Sequence, residues 1–249
     1  MNGDQALLWS IIIAAVAVLS YAAGSIPWAY LIVKWVARED ISQHGTGNVG
    51  AMNVKRTTGS WGWFTVAMVA DAFKGMIPAL VAKGIITGFN PLVVWRPWSG
   101  HLTSSMPPEQ LGVWTPAIQG DLVPMAAVLG AVLGHNYSVW LAIRNRKLAR
   151  TGKGLATGGG ALIAYDWRYF VVAVLVGLLM IAVTRYMMAG QVAAAAGLPL
   201  YAVVTGQPDW PFMVLLGLIV YAAHHKRFIG LLRGDEPRFY TNDRMGPRG

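Results

Sequence analysis

Long apolar runs recur along the chain and constrain its fold more than any other feature of the sequence. They cover, approximately, residues 7–36, 61–82, 122–143, 155–164, 169–184, 187–205 and 211–228. Most of them reach the roughly 17 to 25 residues with which an α-helix crosses a bilayer, and the first lacks the features of a signal peptide. Only 12% of the residues are charged, about half the fraction typical of soluble domains. The sequence therefore predicts an all-α, polytopic membrane helix bundle.

Basic residues indicate how the bundle is oriented and whether the short run 155–164 is a helix of its own. With seven transmembrane helices and the N-terminus outside, sixteen of the 20 lysines and arginines are cytoplasmic, and Lys83, Arg96 and Arg168 are outside. Merging residues 155–184 into one crossing would put the basic connector before them on the opposite side from the basic tail. The positive-inside rule therefore favours seven helices.

This topology predicts one transmembrane domain over residues 1–249, with an external loop at 83–121 and a cytoplasmic tail at 229–249. The net charge of +9 then reflects cytoplasmic loops, anionic membrane lipids and an anionic substrate rather than nucleic acid. Because cysteine is absent, disulfides and thiolate catalysis are excluded. The five histidines and the few carboxylates show no metal-ligand spacing. The sequence indicates no cofactor and gives no prediction of oligomeric state.

A glycine-rich polar segment, residues 45–56, connects the first two apolar runs. Its glycines allow positive φ angles and close approach of a ligand, and consecutive backbone N–H groups in such a loop form an anion-binding concavity. Lys55 and Arg56 add charge-assisted donors suited to phosphate. From these residues alone, the segment is either a phosphate-binding loop or a flexible polar connector.

A second glycine-flanked basic segment, residues 150–154, opens the apolar run that follows it. Lys153 and the N-terminal N–H groups of the next helix would hold a phosphate, and an ordinary positive-inside loop is the alternative. Within the second apolar run, Asp71 and Lys74 are three residues apart on one helix face. They form either a structural ion pair or a pair that faces a wet cavity.

Histidines near the ends of two spans are candidate proton carriers. His224 and His225 end the last span, where a neutral imidazole can take a proton from an attacking hydroxyl group. An interfacial basic cap is the alternative for this pair. His135 ends the third span, where a structural hydrogen-bond donor is the more common role.

Four motifs occur in the order found in one family, the bacterial integral-membrane glycerol-3-phosphate acyltransferases that use acyl phosphate as donor. The residues that carry the resemblance are Gly24-Ser25-Ile26-Pro27 with the 45–56 segment, then Asp71, Lys74, Gly75 and Pro78, then Leu133-Gly134-His135 with residues 150–157, and finally His224, His225, Leu231 and Glu236. The matches span nearly the whole chain.

The resemblance implies seven transmembrane helices and a site that faces the cytoplasm of a bacterial inner membrane. It also implies transfer of a fatty acyl group from acyl phosphate to the sn-1 hydroxyl of glycerol 3-phosphate, which yields lysophosphatidic acid for phospholipid synthesis. His224 is then the candidate base, and Thr46 and Asn48 contact one phosphate and the acyl carbonyl. The implied phosphate-binding residues are Gly45, Gly47, Gly50, Asn53, Arg56, Arg150, Gly152, Lys153 and Gly154, and the supporting residues are Asp71, Lys74, His135 and Arg227.

The chain departs from the family pattern mainly at its acceptor end. Thr46 replaces a serine and keeps the hydroxyl group, whereas Arg227 stands where the family has asparagine and Gly230 where it has arginine. Met187 and Met188 stand where a serine is expected.

Three alternatives therefore remain. They are an acyltransferase with another acceptor, a non-catalytic relative, and a transport protein for a phosphorylated lipid or sugar. A transporter should show inverted repeats and paired broken helices, and the sequence shows only the break at residues 24–27.

Overall fold

The computed structural model describes residues 3–90 and 116–236, and every regular element in these ranges is helical. In chain order the helices are α1 (Gly3–Gly24), α2 (Trp28–Val36), α3 (Ala51–Thr58), α4 (Trp61–Thr87), α5 (Pro116–Asn136), α6 (Val139–Asn145), α7 (Leu155–Thr184), α8 (Met187–Val204) and α9 (Trp210–Arg233). A short 3-10 helix spans Ile41–Gln43. Six stretches of the described chain are long and apolar enough to cross a membrane. The prediction of an all-α membrane protein is confirmed.

The chain divides into two compact units, Met1–Trp167 and Arg168–Gly249. Their boundary lies within α7 and follows Asp166, whose backbone leaves the helical region with φ −156° and ψ 104°. The sequence predicted two separate apolar runs, 155–164 and 169–184, and α7 is interrupted between them. We refer to this interruption as the second break.

Small residues let α1 and α5 approach closely in the first unit. A Cβ atom added to Gly24 would collide with the backbone of Ala131, and one added to Gly134 would collide with the backbone of Tyr21. Such close contacts hold membrane helices together, because lipid removes the hydrophobic driving force between helices. This packing places the C-terminal end of α5, with His135, beside the end of α1.

The same kind of contact joins α4 to the N-terminal part of α7. A Cβ atom at Gly75 would meet the Thr157 carbonyl group, and one at Gly160 would meet the Ala72 carbonyl group. Each helix therefore presents a glycine to the backbone of the other. Asp71, which is buried on α4, consequently lies beside the first turns of α7.

The first transmembrane stretch is interrupted between α1 and α2, as Pro27 predicted. We refer to residues 25–27 as the first break. Side chains from other helices donate hydrogen bonds to carbonyl groups in and beside this break: Ser138 Oγ to Ser25 (2.5 Å), Lys74 Nζ to Ile26 (2.8 Å) and Trp140 Nε1 to Ala22 (3.2 Å). These donors are needed because hydrocarbon offers no hydrogen-bond partner to a released carbonyl group.

At the second break, Lys83 of α4 serves the released carbonyl groups. Its fully buried Nζ donates to the carbonyl oxygens of Ala164 (2.7 Å) and Tyr165 (3.2 Å). The prediction that Lys83 lies in an external loop is therefore wrong. A charge near the end of an apolar run suggested a helix terminus, but α4 continues to Thr87 because the ammonium group finds its partners inside the protein.

Two further predicted boundaries also differ from the structure. The helix α5 begins at Pro116, inside the expected 83–121 loop, and α9 continues to Arg233, inside the expected 229–249 tail. Residues 91–115 of the expected loop, and the end of the tail from residue 237, lie outside the described residues.

In the second unit, α8 packs against α9, and Tyr169 of α7 contacts both helices. The Tyr169 hydroxyl group donates to Asp209 Oδ1 at 2.6 Å, and its ring makes a T-shaped contact with Tyr201, with 5.5 Å between centroids. A Cβ atom at Gly217 would lie 2.9 Å from the Ala195 carbonyl oxygen, so α8 and α9 approach closely. These contacts fix the helix that carries the histidine pair.

Candidate active site

The 45–56 segment forms a tight loop that leads into α3, and the buried side chain of Asn53 holds its shape. Gly45 (φ 53°) and Gly47 (φ 70°) adopt the left-handed backbone conformation that favours glycine. Asn53 Nδ2 donates to the carbonyl oxygens of Ile41 and His44, both at 3.0 Å. Because both amide hydrogens of Asn53 are used in this way, its side chain shapes the loop and has no N–H group left to donate to a ligand.

The residues predicted to contact substrate surround this loop. Thr46 is exposed, and Asn48 is partly buried beside Gly50, the N-cap of α3. The aliphatic part of Arg56 reaches back from α3, and its Cδ atom lies 3.2 Å from the place of a Cβ atom on Gly45. The loop therefore combines a hydroxyl group, an amide and a guanidinium group within a few residues, which suits a phosphate ligand.

The 150–154 segment is a second tight loop, and it is fastened to the end of α5. The Thr151 N–H group donates to the Asn136 carbonyl oxygen at 2.8 Å, and the Thr151 hydroxyl group donates to the His135 carbonyl oxygen at 3.3 Å. Gly154 (φ 76°) then turns the chain into α7. The first N–H groups of α7 are directed toward this loop and carry the positive end of the helix dipole.

One backbone hydrogen bond joins the two loops. The Val49 N–H group donates to the Thr151 carbonyl oxygen at 2.7 Å. The structure therefore brings together two segments that are about 100 residues apart in the sequence. Arg150 is exposed and Lys153 partly buried beside this junction, so that the joined loops form a basic, glycine-lined surface.

An ion pair fastens the segment before the first loop to α6. Arg144 Nη2 lies 2.7 Å from Asp40 Oδ2, and its guanidinium group also stacks over the Tyr30 ring at 4.5 Å. Partial burial opposes ionisation of Asp40, but hydrogen bonds from Arg144 and Ser42 outweigh it and lower its pKa to about 2. The Asp40 carboxylate is therefore charged throughout the physiological pH range.

The supporting residues Asp71, Lys74 and His135 lie together under the second loop. Lys74 Nζ is 2.9 Å from Asp71 Oδ1, and His135 Nδ1 is 3.8 Å from the same oxygen. Of the two interpretations of Asp71 and Lys74, the structure supports the buried ion pair. Sequence reasoning assigned no role to Thr157, whose hydroxyl group is 3.0 Å from His135 Nδ1; its place at the end of the third matched motif was the available signal.

His224 and Arg227 belong to the second unit. His224 is buried, and its Nδ1 donates to the Val220 carbonyl oxygen at 2.8 Å, so in the neutral ring the proton is on Nδ1 and Nε2 is the basic nitrogen. His225 is exposed. Arg227 makes a two-pronged ion pair with Glu236, through Nε at 2.8 Å and Nη2 at 2.6 Å.

Within residues 3–90 and 116–236, no three His, Asp or Glu side chains come together in a way that could hold a metal ion. The charged groups of the two loops are basic instead. The arrangement therefore suits the binding of anions.

Comparisons with known proteins agree with this geometry. A family model described as glycerol-3-phosphate acyltransferase matches residues 14–234. A glycerol-3-phosphate acyltransferase of Erythrobacter litoralis is 32% identical over 226 residues, covering 89% of this chain and 92% of that protein. One of Synechococcus sp. is 34% identical over 221 residues, covering 88% and 89%.

A solved structure is similar as well. The crystal structure of PlsY (YgiH), an integral membrane glycerol 3-phosphate acyltransferase in its glycerol 3-phosphate form, superposes with a TM-score of 0.67 at 25% identity. The match covers 91% of this chain and 95% of that chain. Since the family model covers most of the chain and relatives above 30% identity span nearly all of it, the chain belongs to the glycerol-3-phosphate acyltransferase family.

Proposed function

We propose that this protein transfers a fatty acyl group from acyl phosphate to the sn-1 hydroxyl of glycerol 3-phosphate and releases lysophosphatidic acid. The observation that carries the proposal is the junction of two basic glycine loops at Val49 and Thr151, in a chain of this family. Both proposed substrates carry a phosphate group, and two adjoining anion-binding loops would accommodate them side by side.

The reaction needs no covalent enzyme intermediate, because phosphate is a good leaving group. The glycerol hydroxyl oxygen attacks the acyl carbonyl carbon, the bond from that carbon to the phosphate oxygen breaks, and inorganic phosphate leaves. By the family resemblance, His224 would be the base that takes the hydroxyl proton. Catalysis then depends mainly on positioning and on stabilising the charge that develops on the carbonyl oxygen.

The proposed roles follow the two loops. The 45–50 backbone, with Thr46 and Asn48, would hold one phosphate and the acyl carbonyl group. Arg56 and Lys153 would bind phosphate, and Arg150 would assist them. The acyl chain would lie in a lipid-facing groove between helices.

Arg227 is assigned a different role from that of a phosphate ligand. Its guanidinium group makes both hydrogen bonds of a fork with Glu236, whose side chain is only 7% exposed. Glu236 also lies beside Gly230, where a Cβ atom would be in ordinary contact with Glu236 Cγ at 3.8 Å. We therefore assign Arg227 to fixing the end of α9, three residues after His224.

For the topology we propose seven crossings, with the N-terminus outside and the two loops on the cytoplasmic face of a bacterial inner membrane. The interruption at Asp166 supports a separate short crossing before it. With Lys83 now inside a helix, Arg96 and Arg168 are the basic residues left outside, against sixteen inside. The positive-inside asymmetry is thus stronger than the sequence analysis assumed.

The test is an assay of the purified protein with palmitoyl phosphate and glycerol 3-phosphate, scoring released phosphate and lysophosphatidic acid. We expect turnover, and we expect Arg56→Ala and Lys153→Ala to reduce kcat/KM by at least about a hundredfold, because each removes a charge-assisted phosphate contact. Lys55→Ala, on the same helix as Arg56, is the matched control. The sequence offered Lys55 as a second phosphate donor, but its ammonium group lies over the Trp61 ring at 5.0 Å, so this variant should retain activity. Folded protein without turnover would overturn the proposal, and turnover with a different acceptor would restrict it to the donor.

A further inference from the structure

His135 forms the floor beneath the second loop. Its side chain is buried, and a Cβ atom on Gly152 would collide with its ring at Nε2 and Cδ2. Its carbonyl oxygen also accepts the hydrogen bond from the Thr151 hydroxyl group. The ring therefore limits how closely the backbone of the second loop can approach α5.

Thr157 fixes the orientation of this ring. Its side chain is fully buried in the first turn of α7, and it shares a hydrogen bond of 3.0 Å with His135 Nδ1. The backbone of Thr157 lies directly against α4, since its carbonyl group packs on Gly75. The imidazole is thus held between a hydroxyl group on one side and Gly152 on the other.

The ion pair on α4 anchors the arrangement from below. Asp71 Oδ1 lies 3.8 Å from His135 Nδ1 and 2.9 Å from Lys74 Nζ, and Lys74 donates to Ile26 in the first break. Charged and polar groups therefore follow one another from the first break, through α4 and His135, to the loop. The 3.8 Å separation between Asp71 and His135 makes that step an electrostatic contact rather than a hydrogen bond.

We propose that His135 and Thr157 are a positioning pair, which holds the 150–154 loop at the height required to bind the substrate phosphate. This proposal rests on the function proposed above and names residues that act through the loop backbone. Loss of the pair weakens the contact of the loop with phosphate equally in the substrate complex and in the transition state. The expected consequence is weaker substrate binding, seen as a higher KM with kcat nearly unchanged.

The test compares Thr157→Val, which keeps the shape and removes the hydroxyl group, with Thr157→Ser, which keeps the hydroxyl group. We expect Thr157→Val to raise KM for one of the two phosphorylated substrates about tenfold, and Thr157→Ser to stay within about twofold of the unmodified protein. Thr184→Val is the matched control, because its hydroxyl group bonds Met180 within the same helix. A Thr157→Val protein with the KM of Thr157→Ser, or with a lower kcat and unchanged KM, would overturn the proposal.

A second set of variants tests the coupling and does not depend on the fold tolerating valine. His135→Ala should raise the same KM, and adding Thr157→Ala to it should change little, since the hydrogen bond is already lost. Independent, additive effects would contradict a shared role.

Binding of inorganic phosphate, measured by calorimetry, separates this proposal from the proposed function. A protein that binds phosphate without turnover would refute the proposed reaction, and the Kd of Thr157→Val against Thr157→Ser would still decide the role of the pair. A Kd that is equal in the two variants would overturn it.

Discussion

Two transmembrane stretches are interrupted, and side chains of one helix, α4, donate hydrogen bonds to carbonyl groups at both breaks. At the first break, Lys74, Ser138 and Trp140 each donate a hydrogen bond to a different carbonyl group. At the second break, the single ammonium group of Lys83 donates to two consecutive carbonyl groups. The two lysines are nine residues apart on α4, which places them about 180° apart around the helix.

The two breaks differ in how many side chains provide hydrogen bonds to the carbonyl groups that the interrupted helix releases. The three donors of the first break, Lys74 on α4 and Ser138 and Trp140 at the start of α6, each serve one carbonyl group, so the loss of one donor affects one group only. The second break concentrates two hydrogen bonds on one buried ammonium group, and the Asp166 carboxylate is close enough to attract that charge. We therefore expect substitutions at the second break to have larger effects than substitutions at the first.

Lys83→Met should have the largest effect. It leaves two buried carbonyl groups unsatisfied and removes the cation near Asp166, so we expect the free energy of unfolding to fall by about 3 to 5 kcal/mol. Reversible unfolding in mixed micelles measures it, with Lys83→Arg as the charge-keeping control. A loss below about 1 kcal/mol would show that the second break does not depend on this ammonium group.

Lys74→Met should be less damaging, at about 2 to 3 kcal/mol. Asp71 loses its partner, but Ser138 and Trp140 continue to serve the first break. The double variant Asp71→Asn/Lys74→Met should regain about 1 kcal/mol by removing the unpaired charge. The same unfolding measurement applies, and a loss larger than that of Lys83→Met would reverse the comparison.

Ser138→Ala should cost about 1 to 2 kcal/mol. Its hydroxyl group donates to Ser25 at 2.5 Å and also caps α6 by accepting from the Leu141 N–H group at 3.3 Å. Ser10→Ala is a matched control, since Ser10 bonds only within an exposed face of α1. Equal stability of the two variants would show that the first break does not depend on the hydrogen bond from Ser138.

Asp40→Asn should cause the smallest loss of unfolding free energy, because the ion pair of Asp40 with Arg144 is partly exposed and lies outside the breaks. At neutral pH we expect a loss of no more than about 1 kcal/mol. The pKa of Asp40 is lowered from 3.8 to about 2. The stabilisation is therefore complete above about pH 4 and disappears as the pH falls toward 2, where the variant and the unmodified protein should converge in stability.

The sequence predicted the first break and missed the residue that supports the second, and the reason is physical. Proline interrupts a helix wherever it stands, so Pro27 is informative by itself. A lysine at the end of an apolar run is ambiguous, because its position in solvent or in the protein interior depends on which carbonyl groups a distant helix releases. Lys83 finds its partners about 80 residues away, at Ala164 and Tyr165.

The candidate site likewise has features that the sequence predicted and features that it did not. The glycines and basic residues of both loops were visible as motifs, since phosphate chemistry restricts the residue types that can serve it. The contact between Val49 and Thr151 was not visible, because it joins two main-chain groups and leaves no trace in the side chains. The Asn53 side chain was assigned to phosphate from its motif, whereas the structure uses its amide hydrogens inside the loop.

The backbone hydrogen bond between Val49 and Thr151 also has a thermodynamic consequence. Because this bond links the two loops, a ligand that orders one loop also restricts the motion of the other. A second ligand then loses less conformational entropy when it binds to that other loop. Phosphate groups held on either loop should then bind with positive cooperativity without any movement of helices. Calorimetric affinity for glycerol 3-phosphate should accordingly rise when a non-hydrolysable acyl phosphonate is already bound, and equal affinities would show that the loops respond independently.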